Sequence, residues 1–191
     1  MAARDIMPFI SALGGTTTVR WGSMTASEVF EIGEPVMVVT AGTVTEPVGA
    51  TTSWPVTEFS SGGASVEGGI ACFGPGAGNI NPATGVAFAA LDDVAYWPIN
   101  EGNLFITRNL FDSGDTTTLA VPLQTDVGEG YQINQAAANT AWGIEKAAGV
   151  SGVDVVANVV DVLDAQKAPI RITGNAGVFV VFSITATMAG V

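Results

Sequence analysis

Residues 30–47, which read FEIGEPVMVVTAGTVTEP, decide the fold class of this 191-residue chain. Two short runs rich in β-branched residues, 34–40 and 43–47, are separated by Ala41-Gly42. β-Branched residues favour strands, and glycine favours the turns between them. The stretch therefore predicts two consecutive β-strands.

The same pattern continues to the C-terminus, with Gly, Pro, Asn and Asp turns about every ten residues, which is typical of an all-β fold. Residues 136–148 are rich in alanine, which also allows a helix there, although Gly143 and the β-branched Thr140 and Ile144 weaken that interpretation. The predicted strands are 34–40, 43–47, 65–73, 86–91, 95–99, 103–109, 117–123, 130–133, 141–145, 153–162, 168–172 and 177–187.

Residues 1–28 precede the regular pattern and show no sustained periodicity. The polar stretch 14–18, GGTTT, interrupts two apolar patches that contain Ile6, Phe9, Ile10 and Trp21. These side chains are too apolar for a solvated tail. We therefore predict an extended N-terminal arm that lies either on its own domain or on a neighbouring molecule.

The remainder divides into two series of strands, 29–112 and 113–191, which are either two similar β units or one continuous β domain. Gly69-Ile70-Ala71 matches Gly143-Ile144-Glu145, and the Leu-Asp pairs at 91–92 and 163–164 follow at a similar offset. Regular offsets of this kind are expected of a duplicated unit.

Charge and the missing histidines exclude several functions. Acidic residues outnumber basic ones by 18 to 6, which gives a net charge of −12, and the six Lys and Arg residues are scattered singly. A nucleic-acid partner needs clustered cations to neutralise phosphates, so we expect none. The chain has no histidine, which excludes imidazole catalysis and imidazole metal ligands. The single cysteine, Cys72, has no partner for an intramolecular disulfide.

Composition indicates a globular protein with a surface suited to a partner. Apolar residues make up 48% of the chain but charged residues only 13%, about half the usual share. Much Ala, Thr, Val and Gly must therefore lie outside. The longest apolar run, 86–91, is far shorter than a membrane span, and Asp5 and Pro8 interrupt any signal-peptide core. We expect no membrane partner, and synthesis in the cytoplasm.

Carboxylates offer the remaining chemistry. A glycosidase needs two of them, for which the candidates are Asp92, Asp93, Asp161 and Asp164, and residues 112–115 supply at most two ligands to a calcium ion. All of these residues stand beside predicted turns, where Asp caps backbone N–H groups without any catalytic role. We therefore expect no enzyme activity, no cofactor and no metal.

Tryptophans offer another type of site, a platform for carbohydrate. Trp97 and Trp142 lie within apolar strand patterns and are predicted to belong to the core, whereas Trp54, in a connection rich in Ser and Thr, is predicted to be exposed.

The segments FEIGEPVMVV (30–39), GTVTEP (42–47) and GIA (69–71) together resemble the head-decoration, or capsid cement, proteins of tailed bacteriophages. In that family an N-terminal arm precedes a hydrophobe-Gly-Glu-Pro-Val stretch, a Gly-X-Val hairpin and a Gly-Ile-Ala strand. Residues 142–144, WGI, through 178–182, VFVVF, look like the same strand pattern repeated. The resemblance implies a β-tulip, small barrel or sandwich.

The resemblance also implies a function: binding to the outer surface of a phage head, which the protein stabilises after synthesis in the host cytoplasm. The implied partners are the major capsid protein and further copies of the chain, as a homotrimer or a dimer. The arm would bind the capsid protein or a neighbouring copy, with arginines as anchors to carboxylates. The implied contact residues are Arg4, Ile6, Phe9, Ile10, Arg20 and Trp21.

Three other classes fit parts of the sequence. A phage tail or fibre protein is the main alternative because it would also be β-rich and acidic, although the chain has no long fibrous repeat. A jelly-roll shell protein would be expected to carry a basic inner arm, which this sequence lacks. A secreted carbohydrate-binding module would be favoured by a signal peptide.

Overall fold

The computed structural model of the protein describes residues 6–9, 19–24, 32–39, 43–45, 65–74, 80–89, 91–99, 103–135, 141–146, 155–172 and 175–186. Within these ranges the structure is all-β, as predicted, with one short 3-10 helix at Gln124–Asp126. No helix in the described part of the chain has the length and hydrophobicity needed to span a bilayer.

Strands are numbered here in chain order over the described ranges. They are β1 (Met7–Pro8), β2 (Arg20–Met24), β3 (Pro35–Val39), β4 (Thr43–Thr45), β5 (Ser65–Phe73), β6 (Ile80–Asn81), β7 (Val86–Ala87), β8 (Asp93–Pro98), β9 (Leu104–Thr107), β10 (Leu110–Asp112), β11 (Asp115–Leu119), β12 (Gly130–Gln135), β13 (Trp142–Glu145), β14 (Val155–Leu163) and β15 (Phe179–Ala186).

Five of the strands close into a small barrel in the order β2-β4-β3-β5-β8. Strands β2 and β4 run parallel, and the other neighbours are antiparallel. Side chains alternate across a strand, so Val94 and Tyr96 of β8 point to the same side, and both are buried. They form the core of the barrel together with Met24, Val36 and Ala71.

Eight strands form a second sheet in the order β1-β9-β15-β14-β12-β13-β10-β11. Strands β10 and β13 pair in parallel, and the other neighbours are antiparallel. Val180, Phe182 and Ile184 of β15 alternate into a large core, which Ile70 of the barrel strand β5 also joins. Because Ile70 is fully buried there, the barrel and the sheet pack against each other.

The N-terminal segment lies on its own chain wherever the structure describes it. Strand β1 is the edge strand beside β9, and the backbone N–H of Phe9 donates to the carbonyl of Leu104 at 2.7 Å. Ile6 has no exposed surface and belongs to the core of the eight-stranded sheet. Residues 20–24 then form β2, a barrel strand, which agrees with the alternative that the N-terminal segment packs on its own domain.

Most predicted strands are confirmed, and the prediction for 65–73 matches β5 at both ends. The predicted strand 86–91 is wrong beyond Ala87, because Leu91 has a φ of 70° and the side chain of Asp92 accepts the N–H of Ala89 at 2.8 Å. These two features form a turn where an extended chain was expected.

The predicted strand 168–172 is also wrong. Asp164 Oδ1 accepts the N–H groups of Gln166 and Ala168, both at 2.8 Å, so the chain turns before 168. Pro169, which has no N–H to donate, makes one isolated bridge to Leu163. At 142–145 the chain is a strand, and the rest of the alternative helix at 136–148 falls largely on residues outside the described ranges.

The two Gly-Ile pairs share a packing role but not a strand pairing. Gly69 lies in β5, between two antiparallel neighbours, whereas Gly143 lies in β13, between one antiparallel and one parallel neighbour. A Cβ atom at Gly69 would overlap the ring of Tyr96, and one at Gly143 would overlap the carbonyl of Asn109. Strands β9 and β10, placed in the first series by sequence, are hydrogen-bonded into the eight-stranded sheet.

Candidate functional site

A groove of about 330 Å³ opens on the outer face of the barrel. Its walls come from the barrel strands β2, β5 and β8 and from the turn of the small hairpin that joins β6 to β7. A volume of this size is at the lower end of the range for ligand pockets. The lining residues are Trp21, Phe73, Asn81, Pro82, Ala83, Thr84, Leu91, Asp92 and Asp93.

Aromatic rings form one side of the groove. Trp21 of β2 and Phe73 of β5 are both paired with Ala95 of the intervening strand β8. Because alanine has only a methyl group, the two rings approach over it with their centroids 5.7 Å apart and cover it to 2% exposure. Phe88 contacts Phe73 edge to face at a centroid distance of 5.4 Å. Trp21 is thus held from one side while 63% of its surface stays exposed.

Leu91 forms the neighbouring wall and is the most exposed large apolar side chain in the described part of the chain, at 74%. Its N–H donates to the carbonyl of Met24, and the N–H of Met24 donates to the carbonyl of Asp92, both at 2.9 Å. These bonds hold Leu91 with a φ of 70°, a left-handed conformation that costs a non-glycine residue about 1–3 kcal/mol. A strained backbone therefore presents an apolar side chain to solvent.

Two carboxylates lie at the rim. Asp92 Oδ2 accepts the N–H of Ala89 at 2.8 Å. Asn81, a neighbouring residue of the groove, uses its Oδ1 to accept the N–H of Ala83 at 2.9 Å. The N–H of Ala89, followed by a hydrogen bond from the Asn81 side chain, holds the pKa of Asp92 below its ordinary value. Asp93 is paired with Ser23, so strand alternation places it on the same outer face as Trp21.

Chemically, the groove offers an exposed indole ring, an exposed leucine and two carboxylates. These groups attract apolar and cationic ligand groups, and a carboxylate accepts hydrogen bonds but donates none. The described residues contain no cluster of three or more Cys, Asp or Glu side chains that would hold a metal ion.

The other carboxylates that the sequence singled out lie within strands or at strand ends. Asp161 and Asp164 belong to the end of β14 in the eight-stranded sheet, whereas Asp93 begins the barrel strand β8. Asp161 pairs with Arg171 at 3.2 Å, and Asp115 accepts the N–H of Thr117 at 2.8 Å. The bonds of Asp115 and Asp164 to nearby backbone N–H groups support their interpretation as turn formers. For Asp161 that interpretation is wrong, because this residue lies within strand β14 and is paired with Val181.

Among the residues predicted to bind a partner, Trp21 lines the groove. Arg20, the preceding residue of β2, is exposed. Phe9 is half-buried beside β9, away from the barrel strands. Ile6 is fully buried in the core of its own chain and therefore offers no surface to a partner. Arg4 and Ile10 lie outside the described residues, as does Trp54.

Sequence reasoning missed Leu91 and the hairpin residues Ile80 and Val86, the last two of which are each 61% exposed. Residue 91 was assigned to a strand, and no local signal distinguishes it. The core prediction is confirmed for Trp142, which is 4% exposed, and Trp97 packs partly buried against the same core.

A buried polar cluster in the eight-stranded sheet has a structural role. Asp126 Oδ1 accepts the hydroxyl of Tyr131 at 2.7 Å and lies 2.9 Å from Lys146 Nζ, while Oδ2 accepts the N–H of Leu123 at 2.7 Å. Burial, followed by the hydrogen bond to Asp126, raises the pKa of Tyr131. Each carboxylate oxygen is thus partnered, which a buried acid requires.

Comparison of the chain with protein-family models, with curated proteins and with solved structures finds no match.

Proposed function

We propose that this chain is a viral structural protein that binds the outside of a tailed-phage head and stabilises it. The observation that carries the proposal is the apolar surface at the groove, where Trp21 and Leu91 are 63% and 74% exposed. The hairpin beside it adds Ile80 and Val86. Large apolar side chains that cluster on a surface are typical of sites that a partner covers.

Composition supports a role in assembly. Only 13% of the residues are charged, and charged residues are depleted in the centres of protein interfaces. The net charge of −12 disfavours adsorption of nucleic acid and of other particles. Both properties suit a protein that covers a capsid from outside.

The proposed partners are the major capsid protein and further copies of the chain, with a trimer as the first expectation and a dimer as the second. Synthesis would occur in the host cytoplasm and the final location would be the capsid exterior. Trp21 of β2 is the described candidate for contact at the groove. Arg20, exposed on the opposite side of β2, and Phe9, beside β9, are candidates for contacts outside the groove.

Sedimentation tests the proposal. The purified chain is centrifuged alone and with empty shells assembled from the major capsid protein of the same genome, at two salt concentrations. We expect saturable co-sedimentation at a fixed copy number per capsomer, weakened by Leu91→Ala. Leu119→Ala, which truncates an exposed leucine on the edge strand β11, is the matched control.

One result would speak against decoration, and a second would speak only against the groove as the contact surface. A chain that never sediments with shells, yet forms a stable elongated oligomer alone, would favour the alternative of a tail or fibre protein. Equal shell occupancy for Leu91→Ala and wild type would remove the groove from the contact.

A further inference from the structure

We propose that the groove binds the side chain of a lysine or arginine from an extended segment of the partner protein. The juxtaposition that leads to this inference is an exposed indole, Trp21, beside an exposed leucine, Leu91, with Asp92 and Asp93 at the rim. The identity of the partner rests on the proposed function. The chemistry of the bound side chain does not, because it follows from the residues of the groove.

The indole is suited to a cation. Tryptophan is the aromatic side chain that binds cations best, and the attraction grows as the site loses water. Phe73 contacts Trp21, and Phe88 contacts Phe73 in turn, so the ring is positioned before any ligand arrives. Pre-positioning reduces the entropy that binding must overcome.

The leucine is suited to the aliphatic stem. Lysine and arginine lay their methylene groups along apolar surface and keep the charged end near water or a counter-charge. Leu91 supplies such a surface at 74% exposure, and the volume of about 330 Å³ accommodates a side chain rather than a folded domain. The occupant is therefore a residue on an extended segment.

Charge favours a cation over a neutral ligand. None of the nine lining residues is basic, and two are acidic, in a chain whose net charge is −12. Arg20, the nearest cation in sequence, is paired with Tyr96, and strand alternation directs it to the opposite side of β2 from Trp21. The negative field at the rim would draw a positive side chain in.

A sugar is the other ligand that tryptophan surfaces attract, and the polar groups here fit it less well. Asn81 is 6% exposed, its oxygen already accepts the N–H of Ala83, and its side chain also bonds Asp92. Its amide is therefore committed to the protein. The polar groups that are left are the Thr84 hydroxyl and two carboxylates, and a cation neutralises the charge of the carboxylates whereas a sugar does not.

The test uses the full chain and two pentapeptides, Ac-Gly-Ala-Arg-Ala-Gly-amide and the same peptide with neutral citrulline for arginine. Binding is followed by NMR through the indole N–H resonance of Trp21, assigned with Trp21→Phe. We expect a saturable shift with the arginine peptide that weakens as salt is added, and little shift with the citrulline peptide.

Matched variants place the binding in the groove. Asp93→Asn should raise the Kd for the arginine peptide by about fivefold or more, because it removes one of two counter-charges. Glu129→Gln, which neutralises an exposed carboxylate on the sheet, should leave the Kd unchanged. Leu91→Ala should raise the Kd for the arginine peptide, whereas Leu119→Ala should leave it unchanged.

The inference is overturned if neither peptide binds at millimolar concentration, if both peptides bind equally, or if methyl glycosides shift Trp21 while the arginine peptide does not. Shell binding separates it from the proposed function. If Asp93→Asn binds shells as well as the wild type does, the proposed cation site is refuted but the decoration role is not. If the chain binds the arginine peptide but no shell, the decoration role is refuted but the cation site is not.

Discussion

Trp21 and Phe73 meet across Ala95, each paired with that residue from a different side of strand β8, with their ring centroids 5.7 Å apart. A larger residue than alanine at this position would separate the rings. The outer face of the barrel therefore carries a positioned tryptophan that adds little to the core but leaves 63% of its surface for a partner.

Trp21→Ala should cost far less stability than Trp142→Ala. Trp21 loses mainly its ring contact, worth about 0.5–1.5 kcal/mol. Trp142 is 4% exposed and belongs to the large core, so its truncation should cost about 3–5 kcal/mol. Urea unfolding followed by circular dichroism measures both, and equal losses would contradict the placement of Trp21 on the surface.

Gly143→Ala should destabilise the protein by about 1–3 kcal/mol or more, because the added methyl group would overlap the backbone of Asn109. The same segment carries a hydrogen bond from Ile144 N–H to the Asn109 carbonyl at 2.9 Å, so the two backbones have no room to separate. The control is Gly114→Asn, at a φ of 71° with open space around it. Asparagine tolerates that conformation, so a control that loses as much as Gly143→Ala would refute the argument.

Tyr131→Phe should cost about 1–2 kcal/mol near neutral pH, because Asp126 loses a buried donor. Burial and Asp126 raise the pKa of Tyr131 in the folded protein. As the pH rises above about 10, the unfolded tyrosine ionises while the folded one keeps its proton, so the wild type loses stability. Phenylalanine has no proton to lose, so the variant keeps its stability over this pH range. The difference in free energy of unfolding between wild type and variant should therefore narrow as the pH rises. Urea unfolding from pH 8 to 11 would show a constant gap if the prediction is wrong.

Cys72 should resist alkylation in the folded protein. Burial raises the pKa of its thiol to about 11, against a smaller opposing effect of a backbone hydrogen bond. The thiolate is the reactive form, so iodoacetamide at pH 8 should react on the order of a hundredfold more slowly than with the urea-unfolded chain. Mass spectrometry at timed intervals measures both rates. Equal rates would show that Cys72 is open to solvent.

The all-β class and the course of the long strands could be predicted from the residue pattern. Alternation and β-branched runs are local properties, which is why residues 65–73 were predicted as the strand that the structure has. Burial of Trp142 followed in the same way from its apolar surroundings.

The pairing of the strands and the position of the surface groove could not be predicted in this way and follow from the folded chain. Strand β2 has little strand pattern of its own and exists because β4 and β8 supply its hydrogen bonds. Sequence left open whether Ile6 packs on its own domain or on a neighbouring molecule, and it lies in a core built largely from residues a hundred positions away or more. The groove unites Trp21, Phe73 and Leu91, which are far apart in sequence, and depends on the left-handed backbone of Leu91. Such relationships arise from contacts distant in the chain, and no local pattern of residues encodes them.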